Sequence, residues 1–142
     1  MKSVRDTMTE NPRSISASAS VVEAAQLMRE AHVGSLPITD GEQLVGMITD
    51  RDITMRVVAE AADRTGTSVG DVSSRDLITV EPDLDLDEAL QLMARHQVRR
   101  LPVVENGRLV GIVAQADIAL SENENTGKLV EAISEPTERE RS

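Results

Sequence analysis

The sequence has no cysteine, so disulfide cross-links and thiolate metal sites are closed to it. It also has no Phe, Tyr or Trp. Its core must be built from Leu, Val, Ile, Met and Ala, and it offers no ring on which to stack a base, as single-stranded nucleic-acid binders usually do. Positive charge is scarce: 15 Lys and Arg stand against 25 Asp and Glu, a net charge of −10. A nucleic acid or an anionic membrane is repelled at long range by such a chain, although a small anion can still bind where cations cluster. Long apolar runs are missing too. Nothing approaches the ~20 residues a membrane span needs, and "MKSVRDTMTENP" has no apolar signal core. The expectation is a soluble cytoplasmic protein with neither a nucleic-acid nor a membrane partner.

What the chain does have is repetition. Its 142 residues, 39% hydrophobic, suffice for one domain or two small halves sharing a core. "LVGMITDRDI" (Leu44 to Ile53) returns as "LVGIVAQADI" (Leu109 to Ile118). An offset of 65 holds without a gap from Val4/Val69 to Ile53/Ile118, with 15 of 50 pairs identical. Chance would give about three, so the chain is an internal duplication.

Each copy has the same grammar. "RSIS" and "LITV" are short strand candidates rich in β-branched residues. "SVVE" (Ser20 to Glu23) and "DLDE" (Asp85 to Glu88) resemble capping boxes. Ala24, Leu27, Met28 and Ala31 fall at helical spacing on one stripe, repeated by Ala89, Leu92 and Met93. Asp40-Gly41 and Asn106-Gly107, between apolar runs, signal hairpins. A second helix is predicted from Asp50 to Ala62, and its partner from Gln115, broken at "SENENTG" and resumed at "KLVEAIS". The expected fold class is α+β: two tandem β-α-β-β-α repeats packed as a pseudo-two-fold pair. The expected boundaries are residues 1–62, a linker at 63–68, residues 69–135, and a disordered tail at 136–142.

"VRDTMTENPRSI", "HVGSLPITD", "GMITDRDI" and "HQVRRLPVVENGRLVGIVAQADI" together resemble a tandem pair of CBS (cystathionine β-synthase) domains, as in stand-alone bacterial CBS-pair proteins, over Val4 to Ile118. That resemblance implies a homodimer, often a flat disc. It also implies clefts for adenosyl compounds such as AMP, ATP, NAD or S-adenosylmethionine, with AMP or ATP foremost as a regulatory ligand and no cofactor required.

The family pattern of Gly, two residues, Thr or Ser, two residues and Asp falls on Gly46, Thr49 and Asp52. Gly46 permits close backbone approach. Thr49 stands where a strand passes into a helix, where free N–H groups favour anions. Asp52 is suited to accept from both hydroxyls of a ribose, as acidic residues do in dinucleotide folds. A second reading is purely structural, because Thr-x-x-Asp at a helix start is also close to a capping box. In the second copy Ala114 replaces the Thr while Asp117 remains, so two unequal clefts are expected. Arg99 and Arg100 match family positions that carry phosphate-binding cations, and Arg51 is a further candidate. Only one of two strand neighbours can face a given cleft, and any single Arg is most often a solvated surface residue. Met8 and Ile15 match positions that line the adenine slot, although apolar strand residues are ordinarily core. His32 and His96 have no Cys and no His at i+4, so no metal site is expected.

The leading expectation is a regulatory module that senses an adenosyl compound and signals to a separate effector protein. The alternative is a protein–protein interaction or stress-related scaffold that binds no nucleotide. No nucleophile–base constellation suggests an enzyme.

Overall fold

The computed structural model describes residues 2–73 and 77–126. In chain order it holds a 3-10 turn (Val4–Asp6), β1 (Thr9–Glu10), β2 (Ile15–Ser16), α1 (Val21–Ala31), β3 (Ser35–Asp40) and β4 (Gln43–Thr49). There follow α2 (Asp50–Ile53), a π turn (Thr54–Val58), α3 (Val69–Val72), α4 (Leu86–His96), β5 (Arg100–Glu105), β6 (Arg108–Ala114) and α5 (Gln115–Thr126). The duplication is visible element by element, and the fold is α+β as the sequence predicts.

The chain forms two compact units, and their edges do not follow the repeat. One unit holds residues 13–77; the other joins the first twelve residues to the chain from Ile78 onward. The opening segment of each repeat is thus packed with the body of the other repeat. Val4 lies in the core of the second-repeat unit with Val80, Leu101 and Ile118. Val69 and Val72, the equivalent opening of the second repeat, lie in the core of the first-repeat unit with Ile15, Leu36 and Ile48. The expected boundaries 1–62 and 69–135 follow the repeat, whereas the compact units part at Pro12/Arg13 and Leu77/Ile78. Identity at a fixed offset reports ancestry and carries no information about which copy an arm packs on.

In the first-repeat unit Ser20 caps α1 by accepting the Glu23 amide at 3.2 Å, leaving a cap rather than a full reciprocal box. Val21, Ala24 and Met28 form the buried stripe. His32 ends the helix in the left-handed region at φ 56°, and the Val33 amide reaches back to the Met28 carbonyl at 3.0 Å, the 6→1 bond of a Schellman motif. β2 runs parallel to β3, and β3 antiparallel to β4.

The second-repeat unit repeats this design. Asp85 caps α4 through the Asp87 amide, one residue earlier than the predicted box. Leu86, Ala89 and Met93 are buried, and Gln97 closes the helix at φ 57°. β1 and β5 both pair antiparallel with β6. The predicted strand "LITV" reduces to one parallel bridge, Val80 to Val103.

Both hairpins carry the same irregularity: the register shifts between Ile38 and Thr39 in one and between Val103 and Val104 in the other. Val45 and Val110, just before Gly46 and Gly111, are the residues so skipped. Their turns differ, however. Asn106 and Gly107 both have positive φ, at 56° and 80°, as a type I′ turn requires. The first turn is Gly41-Glu42, one residue later than Asp40-Gly41, and only Gly41 is positive at 63°; Gly at the first central position marks a II′ turn.

Two expectations about the second helices are corrected. The segment from Asp50 is α-helical only to Ile53 and then widens into the π turn, where the Ala59 amide reaches the Thr54 carbonyl at 2.9 Å. α5 does not break at Ser121 but runs to Thr126. The predicted helix at 128–134 and the tail at 136–142 lie outside the described residues. Among the described residues no helix is long and apolar enough to cross a membrane.

Candidate functional site

β4 delivers Thr49 to the start of α2. The Thr49 hydroxyl accepts the Asp52 amide at 3.0 Å, and the Asp52 carboxylate (Oδ2) accepts the Thr49 amide at 2.9 Å. The reciprocal capping box, the structural reading of Thr-x-x-Asp, is therefore present. It does not exhaust either side chain. The Thr49 hydroxyl accepts and still has its proton to give, and among the described residues no bond engages Asp52 Oδ1. Both residues are half-buried. The box fixes the carboxylate's rotamer and leaves one oxygen and one hydroxyl proton for a ligand. The two readings of the motif are compatible.

The helix start is less open to anions than the sequence suggests. The Asp50 amide donates to the Gly34 carbonyl at 2.9 Å, and the Asp52 amide is taken by Thr49. With Asp50 and Asp52 both in the first turn, the place favours a donor such as a sugar hydroxyl over a phosphate. Arg51 is exposed on the same turn. Gly46 is buried on β4 opposite Ile38, and Ile38 in turn pairs with Ile15. The Ile15 side chain belongs to the core.

Met8, Arg99, Arg100 and Asp117 fall in the other unit. There the Gln115 amide donates to the Arg99 carbonyl at 2.8 Å, repeating the Asp50–Gly34 bond. Arg100 stands opposite Ala114 across the β5–β6 ladder, as Ser35 stands opposite Thr49. The two arginines thus enter at the helix start that carries Asp117, with Arg99 exposed and Arg100 half-buried. The hydroxyl-bearing start and the arginine-bearing start are on different units. Met8 packs on Gly111: a Cβ there would stand 2.7 Å from the Met8 sulfur and 3.0 Å from the Thr9 carbonyl oxygen. This close approach explains why β6 has Gly at the position equivalent to Gly46.

The sequence reading missed two features near the first site. One is the Gly34 carbonyl at the helix start. The other is a groove of about 410 Å³ between α1 and the helix that Thr49 begins, lined by Val22, Ala25, Ile53, Val57, Val58 and Arg29 among others. The run "TMRVV" was its only signal, and a sequence alone does not say which of those side chains turn outward.

The chain is a duplicated α/β hairpin unit with an Asp in the first turn of the helix that follows each hairpin. The comparisons identify it. The CBS domain family model matches residues 4–59 and 69–122, and the chain belongs to that family. It is 43% identical over 136 residues to the CBS domain-containing protein YhcV of Bacillus subtilis, covering 94% of this chain and 96% of that one. It is 39% identical over 120 residues to Hypoxic response protein 1 of Mycobacterium tuberculosis, covering 84% of each.

Among solved structures it is similar to Hypoxic Response Protein I with two coordinated zinc ions, at TM-score 0.78 and 39% identity over 83% of this chain and 97% of that one. It is also similar to the CBS domain pair of MJ0100 in complex with 5′-methylthioadenosine and S-adenosyl-L-methionine, at TM-score 0.77 and 28% identity over 88% and 98% of the two chains. A third is CBSX2 in complex with AMP, at TM-score 0.77 and 27% identity over 89% and 99%. Among the described residues no group of three or more His, Asp or Glu is placed to hold a metal ion.

Proposed function

We propose that this protein is a homodimeric regulatory module that senses an adenosyl compound and signals to a separate effector protein. The observation that carries the reading is the Thr49–Asp52 box, which holds a half-buried carboxylate with one oxygen uncommitted among the described residues. Asp52 accepts a ribose hydroxyl, and the Thr49 hydroxyl donates to the ligand beside it. Beside Asp52, Arg51 is the cation available to a phosphate, with Gly46 and Ile15 on the strands of the same unit; in the other unit Arg99 and Arg100 serve a phosphate at the Asp117 start, with Met8 as the apolar residue there. The Asp117 start, without a hydroxyl at Ala114, binds more weakly. Support comes from family members of the same fold that hold AMP or S-adenosylmethionine. AMP or ATP is the ligand of first choice, because arginines serve a phosphate better than they serve a sulfonium.

Thermal melting with AMP, ADP, ATP, NAD and S-adenosylmethionine tests this. A ligand at 100 times its Kd stabilises by about 2.7 kcal/mol. At least one should raise the melting temperature, and Asp52→Asn, which keeps an oxygen for the cap, should abolish the rise. If none of the five shifts the melt, the adenosyl-sensor reading falls and the interaction scaffold is favoured.

A further inference from the structure

Each unit ties the arm it takes from the other repeat to its own body in the same way, bond for bond. The Val69 amide donates to the Ala19 carbonyl at 2.8 Å, and the equivalent Val4 amide donates to the Leu84 carbonyl at 2.8 Å. The Gly70 amide reaches the Ala17 carbonyl and the Arg5 amide reaches the Pro82 carbonyl, both at 2.9 Å. The Thr67 carbonyl takes the Val21 amide, and the Lys2 carbonyl takes the Leu86 amide. These are main-chain bonds, so they survive the divergence of the two copies.

One further tie repeats in place but not in kind. Residues 56 and 121 are equivalent at the offset of 65, and each joins the helix after the hairpin to the arm. In the first-repeat unit Arg56 donates from the π turn to the carbonyls of Val72 and Ser73, at 3.1 and 3.4 Å. In the second-repeat unit the arm is the donor, and Lys2 Nζ donates to Ser121 Oγ at 2.7 Å. Two unrelated pairs of groups at one position mark a tie that the place itself requires. Arg56 has no carboxylate partner among the described residues, so its guanidinium belongs to the arm.

The two ties differ in what they transmit. Arg56 rides on a continuous series of bonds that starts at the candidate site. The Thr49–Asp52 box opens the helix. The Asp50 carbonyl accepts the Thr54 amide, and the Thr54 hydroxyl at 3.0 Å. The Thr54 carbonyl then accepts the Ala59 amide across the π turn. A π turn inside a helix is frequent at functional places, and it becomes an α turn when an amide moves to the carbonyl one residue nearer. The second-repeat unit has neither part: Ala114 removes the hydroxyl, and α5 is α-helical from Gln115 to Thr126.

We propose that Arg56 relays the state of the Thr49–Asp52 helix start to the arm of the second repeat, with the π turn as the element that has two arrangements. A change at the start shifts the balance between π and α bonding, and with it the hold of Arg56 on Val72 and Ser73. The arm runs on from Ser73 and enters the second-repeat unit at Ile78. What one unit binds is thereby carried to the segment that leads into the other. The inference rests on the proposed function only for the signal, a ligand accepted by Asp52. Arg56 is a positioning residue and touches no ligand itself.

Native-state hydrogen exchange, read amide by amide by NMR on the full chain without nucleotide, tests this. Thr49→Ala, which copies the second repeat, removes the cap. It should speed exchange at Val69 and Gly70 by about two- to thirtyfold, the range that loss of an N-cap gives, and leave Val4 and Arg5 as they are. Arg56→Ala should also speed Val69 and Gly70. With Arg56→Ala already present, Thr49→Ala should add nothing there. A residue that only staples the arm gives logarithmic effects that add, and that result overturns the relay. So does a Thr49→Ala that leaves Val69 and Gly70 unchanged, or one that speeds Val4 and Arg5 equally, which is a loosening of the whole chain. Asp52→Asn, which keeps the cap oxygen and removes the charge, takes the place of Thr49→Ala with the same outcomes if the latter does not fold. No nucleotide enters the measurement, so a failed relay leaves the sensor standing, and a melting screen without shifts leaves the relay standing.

Discussion

Asp63 shows how much one exposed side chain can organise. It begins the "DRTGTS" stretch, which the sequence marks only as a linker, and its carboxylate accepts the Thr65 hydroxyl at 2.9 Å and the Thr65 amide at 3.0 Å. The Gly66 amide adds a third bond. A Cβ at 66 would stand 2.7 Å from the Asp63 carboxylate oxygen, so a larger residue there would push that carboxylate aside. These bonds, the Thr65 hydroxyl first, hold the Asp63 carboxyl below its ordinary value of 3.8. A carboxylate whose pKa is depressed by folding contributes stability above its unfolded pKa and loses it as pH falls through the folded one. Thr65→Val removes the largest of the bonds. Its melting temperature should lie slightly below that of the wild type near neutral pH, and the gap should close under acid conditions below the usual carboxylate range. A gap of constant size between neutral pH and acid would mean that the turn draws nothing from the ionised carboxylate.

At the scale of elements, the helix ends are where sequence and structure can be compared most directly. Ser20, Asp85 and Thr49 all cap as their sequence positions suggest, because an N-cap depends on three or four adjacent residues. The buried stripes were legible in part from helical spacing: Ala24, Met28, Ala89 and Met93 are buried as expected, Leu27, Ala31 and Leu92 only half so, and Val21 and Leu86 complete the stripes. The π turn was not, because it depends on which carbonyl each amide reaches, and hydrophobic spacing does not record that. Arg56 helps to hold this turn, donating to the Val72 carbonyl at 3.1 Å, a partner sixteen residues away. For the candidate site, the motif residues were legible and their division between two units was not, since the offset aligns the copies without saying what each packs on.

The C-caps offer a direct test. His32 and Gln97 both sit in the left-handed region, at φ 56° and 57°, and both are exposed. That conformation costs a residue with a Cβ about 1–2 kcal/mol, of which Gly recovers part after its own entropy cost. His32→Gly and Gln97→Gly should each stabilise by about 0.5–1 kcal/mol. The double variant should show the sum, because the sites lie in separate units and share no partner. Chemical denaturation with an unchanged m-value checks this, and a loss of stability at either position would show that its side chain has work beyond the cap.

For the whole molecule, the exchanged arms matter more than the repeat boundary. The first-repeat unit needs Val69 and Val72, which are 0% and 6% exposed in its core. They come from the opening of the second repeat and are tied by the Val69 amide to the Ala19 carbonyl at 2.8 Å. Among the described residues, none before Arg13 belongs to that core. Val4 is buried in the other one, and its amide donates to the Leu84 carbonyl at 2.8 Å. Burying one Val side chain stabilises by roughly 1.5–3 kcal/mol. Two such residues amount to about 3–6 kcal/mol, comparable to the whole stability of a 60-residue unit. A fragment of residues 13–77 should therefore melt cooperatively and give dispersed amide resonances. A fragment of residues 1–62, cut where the repeat suggests, should do neither, although the two are nearly equal in length. If the 1–62 fragment melts as sharply and at the same temperature, each repeat folds on its own arm and the exchange adds nothing to stability. If the 13–77 fragment alone folds, each unit is completed by an arm from the other repeat, and a ligand that loosens one unit disturbs a segment that belongs, in sequence, to that other repeat.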